Sequence, residues 1–126
     1  SINGGVQLDL MGQENAESTG TRQLSGVGGQ MDFLEGAYRS KGGKGFICIN
    51  SSRVTKDGER KSNILATIPG GSTISAPRTM IQYVATEYGI ASLSGKTLRE
   101  RAEAMASIAH PDFREELMKY AQENFK

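Results

Sequence analysis

The glycines set the tightest limits on what this chain can build. Gly26, Gly28 and Gly29, in LSGVGGQMDF (24–33), stand directly before a segment with helical apolar spacing, and KGGKG (41–45) closes that segment. PGG (69–71) and the Asp57-Gly58 pair of KDGE (56–59) punctuate the middle of the chain. There are 16 glycines in 126 residues, nearly twice the usual share of about 7%. Either many turns are being made or many backbone groups are being exposed. Before the helix at Gly29 both readings stand: a tight structural corner, or a backbone that a negatively charged group must approach closely.

The segments between the glycines read as strands first and helices last. VQLDLMG (6–12) alternates through Val6, Leu8 and Leu10, the period of a half-buried strand. From Gly12 to Gly26 the chain is polar and aperiodic, a long irregular connection of the kind that is usually functional or disordered. Met31, Phe33, Leu34, Ala37 and Tyr38 predict a helix, and GFICINS (45–51) a buried strand. Asp57-Gly58 predicts a tight hairpin, and SNILATI and STISA predict two strands around PGG. MIQYVATEYGIASL (80–93) is ambiguous between helix and strand. Leu98, Ala102, Met105, Ile108 and Ala109 form one helical stripe, and Phe113, Leu117, Tyr120 and Ala121 a second, with Pro111 suited to a first turn. The pattern predicts one α/β domain with a single core.

Charge excludes little and favours no polyanion: 15 Lys and Arg against 14 Asp and Glu leave a net +1. Neither nucleic acid nor a membrane surface is implied as a partner, and no apolar run approaches the ~18 residues of a membrane span. The lone Cys48 has no internal disulfide partner, which fits a reducing, cytoplasmic setting. Cys48 falls in an apolar strand, where an inert thiol is expected.

Most motif candidates have a structural reading. GIASLSGKT (89–97) resembles a phosphate-binding loop, but five residues separate Gly89 from Gly95 where four are needed. Thr97 and Glu100 fit a capping box instead. His110, the only histidine, lies between two helices with no ligand cluster beside it, so a structural role is expected and no metal site is. Arg53, Lys56, Arg60 and Lys61 surround the predicted hairpin, either as a solvated turn or as a contact for a polyanionic ligand. GVGG lacks the spacing of a dinucleotide fingerprint. It could still present backbone N–H groups to a phosphate, a carboxylate or the oxyanion of an acyl transfer.

Taken in order, VQLDLMGQENAES, SGVGGQMDF, SKGGKG, TEYGIASLSGKTLRERAEA and IAHPDFREEL resemble the C-terminal portion of the acetyl-CoA hydrolase/CoA-transferase family, which includes the 4-hydroxybutyrate and butyryl-CoA:acetate CoA-transferases. The likeness runs from Ser1 to about Leu117 and is weakest between Ser51 and Ser62. The resemblance implies a mixed open sheet flanked by helices, as in the C-terminal part of a class I CoA-transferase domain. It implies that residues 1–126 are one part of a longer two-domain chain. It implies coenzyme A as a substrate, with no permanently bound cofactor, and a short-chain acyl-CoA (butyryl, 4-hydroxybutyryl or acetyl) exchanging CoA with a carboxylate such as acetate.

In the family this chemistry runs through a glutamyl-CoA thioester, a covalent route that divides one transfer into easier steps. The resemblance places that glutamate upstream of Ser1, since Glu14, Glu17, Glu35 and Glu87 do not match it. The chain alone is then expected to be inactive. By resemblance, Gly28 and Gly29 serve the oxyanion and thioester, and Asn3, Val6, Gly26, Gly28, Gly29 and Lys56 contact CoA. The missing N-terminal domain and a second copy of the chain are the expected protein partners. A hydrolase, in which water intercepts the thioester, and a non-catalytic anion-binding or assembly domain are the competing readings.

Overall fold

A computed structural model describes all 126 residues. Its centre is a four-stranded sheet built from β1 (Ile2–Gly4), β6 (Phe46–Cys48), β10 (Tyr83–Thr86) and β11 (Gly89–Ser92), in the order β1-β6-β10-β11. The first three run parallel, with Asn3 opposite Ile47 and Val84 opposite Ile47, while β11 turns back antiparallel on β10. The ambiguous 80–93 segment is therefore a hairpin. Its β-branched and aromatic residues pair rather than coil.

Helix α1 (Gln30–Arg39) connects β1 to β6, and α2 (Leu98–Ser107) and α3 (Pro111–Asn124) follow the sheet. The local signals behave as read. Thr97 and Glu100 form a reciprocal capping box, and His110 caps α3 with Nδ1 accepting from the Asp112 amide at 3.1 Å, one residue before Pro111. The helices lie against one face of the sheet. Leu34 of α1 approaches Gly45, the residue before β6, while Ile108 approaches Gly89 on the same side. Ile47, Val84 and Ala91 are buried there with Ala102, Met105, Leu117 and Ala121, in one core cluster. The opposite face stays open: Ile2 and Ile90 are 77% and 62% exposed, and Phe46 stacks on Tyr83 at 4.9 Å between ring centres. Parallel strands ordinarily have both faces covered.

Between β1 and α1 the chain is more structured than its polarity predicted. β2 (Gln7–Asp9) pairs antiparallel with β3 (Glu14–Asn15) and parallel with β9 (Ile64–Leu65), and β4 (Ser18–Thr19) forms a small hairpin with β5 (Arg22–Gln23). The 6–12 strand shortens to three residues, all buried, because Asp9 turns inward and its carboxylate accepts the Met11 and Gln13 amides at 3.0 Å each. The strand expected over STISA is absent. Only Ala76 bridges to Glu14, while Thr73 and Ser75 spend their hydroxyls on Ser18 and Glu17. The Asp57-Gly58 hairpin forms as β7 (Ser52–Val54) and β8 (Arg60–Ser62), joined by a wider loop than a two-residue turn. Phe33 and Tyr38 of α1, and Leu98 of α2, point outward rather than into the core. Cys48 is half-buried on the open face rather than sealed in the core.

Candidate functional site

The carboxyl ends of β1, β6 and β10 open into a cleft of about 440 Å³ walled by Gly5, Cys48, Ile49, Asn50, Ala85 and Thr86. In open α/β sheets this end of the strands is where ligands collect. Its rim is tied: the Ser51 amide donates to Glu87 Oε1 at 2.7 Å, joining the chain after β6 to the chain after β10. Slight burial opposes ionisation of Glu87, but the bonds from Ser51 outweigh it and hold the carboxyl below its ordinary range.

The glycine loop ends where α1 begins, and Gln30, the first residue of α1, reaches the carboxyl end of β1; the loop is held at both of its ends. On one side the Glu17 carbonyl accepts the Leu24 and Ser25 amides at 2.7 and 3.2 Å, and Gln23 Nε2 donates to the Ser25 carbonyl at 2.6 Å. Glu17 is itself fixed, buried with its carboxylate accepting from Gln23 and Ser75. On the other side, Gln30 Nε2 donates to Glu14 Oε1 at 2.7 Å and reaches the Gly4 carbonyl at 3.4 Å. Between these anchors Gly26, Val27, Gly28 and Gly29 are exposed, and none of their N–H groups has an acceptor in the chain. Gly29 is the N-cap of α1 and supplies no side-chain cap. The helix dipole therefore meets open space through a row of unspent donors.

The glycines are not equivalent. Gly28 has φ +64°, a conformation that explains the residue by itself. Gly29 has φ −102°, ordinary for any residue, and a Cβ there would make only normal contact with Phe33 at 3.6 Å. At Gly26 a Cβ would meet nothing within 4 Å. The fold thus calls for a glycine at Gly28, favours one mildly at the Gly29 N-cap, and gives no internal reason for one at Gly26.

The other sequence-named residues are spread more widely. Val6 is half-buried just beyond β1, its amide donating to Asn15 at 2.9 Å, and so borders the Gly5 wall of the cleft. Asn3 lies on β1 in register with the buried Ile47, on the helix-covered face, with Oδ1 buried and unpartnered. Lys56 sits exposed at the tip of the β7–β8 hairpin with no ion pair, and no hydrogen bond joins that hairpin to the glycine loop. Its neighbours Arg53, Arg60 and Lys61 line a different groove, of about 430 Å³, together with Phe113, Leu117 and Tyr120. Arg53 and Arg60 are partly spent there on Asn63 and Ser52. No group of three or more His, Cys, Asp or Glu is placed to hold a metal ion, and no helix is long and apolar enough to cross a membrane.

Sequence reading missed the buried polar residues that hold the loop: Glu14, Asn15, Glu17 and Gln30. QENAES has the composition of an exposed turn, and only tertiary packing turns it inward.

Comparison with known proteins agrees with this architecture. The profile of the acetyl-CoA hydrolase/transferase C-terminal domain matches residues 1–121. Butyryl-CoA:acetate CoA-transferase of Anaerostipes caccae is 49% identical over 122 residues, covering 97% of this chain and 27% of that protein. 4-Hydroxybutyrate coenzyme A transferase of Clostridium kluyveri is 50% identical over 125 residues, covering 99% of this chain and 28% of that protein. The crystal structure of 4-hydroxybutyrate CoA-transferase from Porphyromonas gingivalis superposes with a TM-score of 0.74 at 41% identity, covering 99% of this chain and 26% of that one. The chain thus spans about a quarter of the length of the relatives it matches. With the mixed open sheet, the one-sided helices and a profile match over nearly its whole length, the chain belongs to the acetyl-CoA hydrolase/transferase C-terminal domain family.

Proposed function

We propose that the protein containing this chain is a CoA-transferase, moving CoA between a short-chain acyl-CoA and a carboxylate such as acetate. The observation that carries the reading is the row of N–H groups from Gly26 to Gly29, without acceptors, at the uncapped start of α1. Acyl transfer at a thioester passes through tetrahedral centres whose oxygen carries negative charge, and fixed donors aimed at that oxygen lower the barrier. The loop's two anchors hold these donors in place before any ligand arrives.

In this reading the nucleophile is a glutamate carboxylate supplied by the rest of the protein. It attacks the thioester carbonyl and expels CoA thiolate, leaving an acyl–glutamyl anhydride. The thiolate then attacks the glutamyl carbonyl, releasing the acyl carboxylate and forming the enzyme–CoA thioester, from which a second carboxylate collects the CoA. The present chain contributes the oxyanion donors of Gly28 and Gly29. Gly26, Val6 and Asn3 border the CoA, and Lys56 meets a CoA phosphate. The open sheet face bearing Ile2, Phe46, Tyr83 and Ile90 packs against the remaining part of the longer protein, or against a second copy of it.

The test is an exchange assay on the full-length protein with butyryl-CoA, with and without acetate. Acetyl-CoA formed only when acetate is present supports the transferase. Loss of thioester at the same rate without acetate shows the hydrolase, and no thioester chemistry at all shows a binding or assembly role.

A further inference from the structure

Glu14 is a buried carboxylic acid that the reaction above does not use. It is fully removed from solvent, and Oε2 has no hydrogen-bond partner. Oε1 accepts from Gln30 Nε2 at 2.7 Å. The carboxyl is pressed against the end of β1: a Cβ built on Gly5 would stand 2.6 Å from Oε1, with Ile49 Cγ2 at 3.2 Å. Gly5 and Ile49 are walls of the cleft, and Gln30 is the first residue of α1, next to Gly29. One carboxyl therefore backs the cleft wall and bonds to the helix that carries the glycine loop.

Burial pushes the Glu14 carboxyl up to about 7, against the opposing pull of the Gln30 bond. No cation offsets it. Asp9 on β2 is spent on the Met11 and Gln13 amides, and Glu17 on Gln23 and Ser75. On α1, Asp32 is exposed and Glu35 pairs with Arg39, while Arg78, beyond Ala76, reaches Met11 Sδ.

Building on the CoA-transferase reading, we propose that Glu14 is a positioning residue. Its neutral carboxyl seats the start of α1 against Gly5, and its ionisation opposes occupancy of the cleft by anionic substrate. As the neutral acid, Glu14 accepts from Gln30 and puts no charge behind the wall. Ionised, it places an unpaired negative charge in a low-dielectric layer directly behind Gly5. That charge repels the thiolate, the carboxylates and the oxyanion that the transfer gathers in front of it.

The test uses the full-length protein, with kcat/KM for butyryl-CoA plus acetate followed between about pH 6 and 9. The wild-type value is expected to fall through a one-proton limb near neutrality, approaching tenfold per pH unit above it. Glu14→Gln keeps an acceptor for Gln30 and cannot ionise, so its profile lacks that limb; the same limb in Glu14→Gln overturns the proposal. Gln30→Ala removes a bond that favours the ionised form, so the limb moves to higher pH, and an unmoved limb also overturns it. Difference infrared spectroscopy supplies a readout independent of turnover: a protonated-carboxyl band that titrates near neutrality and is missing in Glu14→Gln. Lack of that band in the wild type overturns the inference. Lack of acyl transfer at every pH, with the band present, overturns the CoA-transferase reading alone.

Discussion

Arg101 offers the sharpest test of how this fold holds its strand ends together. It lies on α2 with 8% of its surface exposed and no ion-pair partner. Its guanidinium donates to three backbone carbonyls: Met11 at 2.9 Å, Leu93 at 3.0 Å and Arg78 at 2.7 Å. Those acceptors belong to the turn after β2, the end of β11 and the 3-10 turn Arg78–Met80, so one side chain ties three segments far apart in sequence. Burial pulls its pKa below the ordinary value, with Arg78 adding to the pull, yet a guanidinium stays charged.

Hydrogen bonds from a charged donor contribute about 1.5–3 kcal/mol each, and part of that total offsets the cost of desolvating the cation. Arg101→Met leaves three carbonyls without their donor, at about 1–3 kcal/mol for each that stays buried, so it should destabilise this region by about 3–5 kcal/mol. Arg101→Lys should recover little, because one ammonium cannot reproduce the planar fork. Native-state hydrogen exchange on the full-length protein reads this locally, since a loss of that size lowers amide protection in α2 and β11 by at least ~100-fold. Protection within about twofold of wild type in Arg101→Met would show that the three carbonyls do not depend on this side chain.

Three further predictions address the charge and the domain organisation. Lys56→Ala in the full-length protein should raise KM for acyl-CoA with a smaller change in kcat, the difference shrinking at high salt; an unchanged KM at low salt returns the hairpin to a solvated turn. Glu14 should govern alkaline stability: with its carboxyl raised from 4.5 to about 7 in the folded state, its stabilising contribution is complete below about pH 4.5 and is lost as pH rises through about 7. A displacement of that size corresponds to about 3 kcal/mol, so Glu14→Gln should unfold at higher denaturant than wild type at alkaline pH and show no advantage in acid; equal midpoints at alkaline pH would contradict this. The 126-residue chain on its own should self-associate through the face bearing Ile2 and Ile90 and show no CoA transfer; a monodisperse, fully active chain would refute that reading.

What the sequence revealed depended on whether the signal was local. The Thr97 box, the Pro111 turn and the end of α1 at KGGKG are decided within a few residues, and each is where spacing placed it. The glycine loop was legible as a loop before a helix, but its asymmetry was not: φ is +64° at Gly28 and an ordinary −102° at Gly29, two glycines that no local pattern tells apart. The Gly12–Gly26 segment misled because Asn15, Glu17 and Ser18 satisfy one another and residues 73–75 in the interior, partners some 55 residues away that no short window contains. STISA read as a strand by composition, yet its hydroxyls are occupied by that polar knot instead of extending a ladder. The placing of Gly28, Gly29 and Lys56 near CoA came from family resemblance alone, because unspent donors and an exposed ammonium do not name their ligand.

The most direct measurement of the central claim is kcat for CoA transfer by the full-length Gly29→Val protein, taken beside amide protection of α1 on the same preparation. The backbone at Gly29 asks for no positive φ, and a side chain there makes only ordinary contact with Phe33. Val should therefore leave the fold nearly intact while crowding the ligand away from the loop's donors. If those donors serve the oxyanion, kcat falls by ~10²–10³, the loss typical of removing one such donor. Near-normal kcat with α1 protected as in the wild type would contradict the assignment and leave the glycines as a turn.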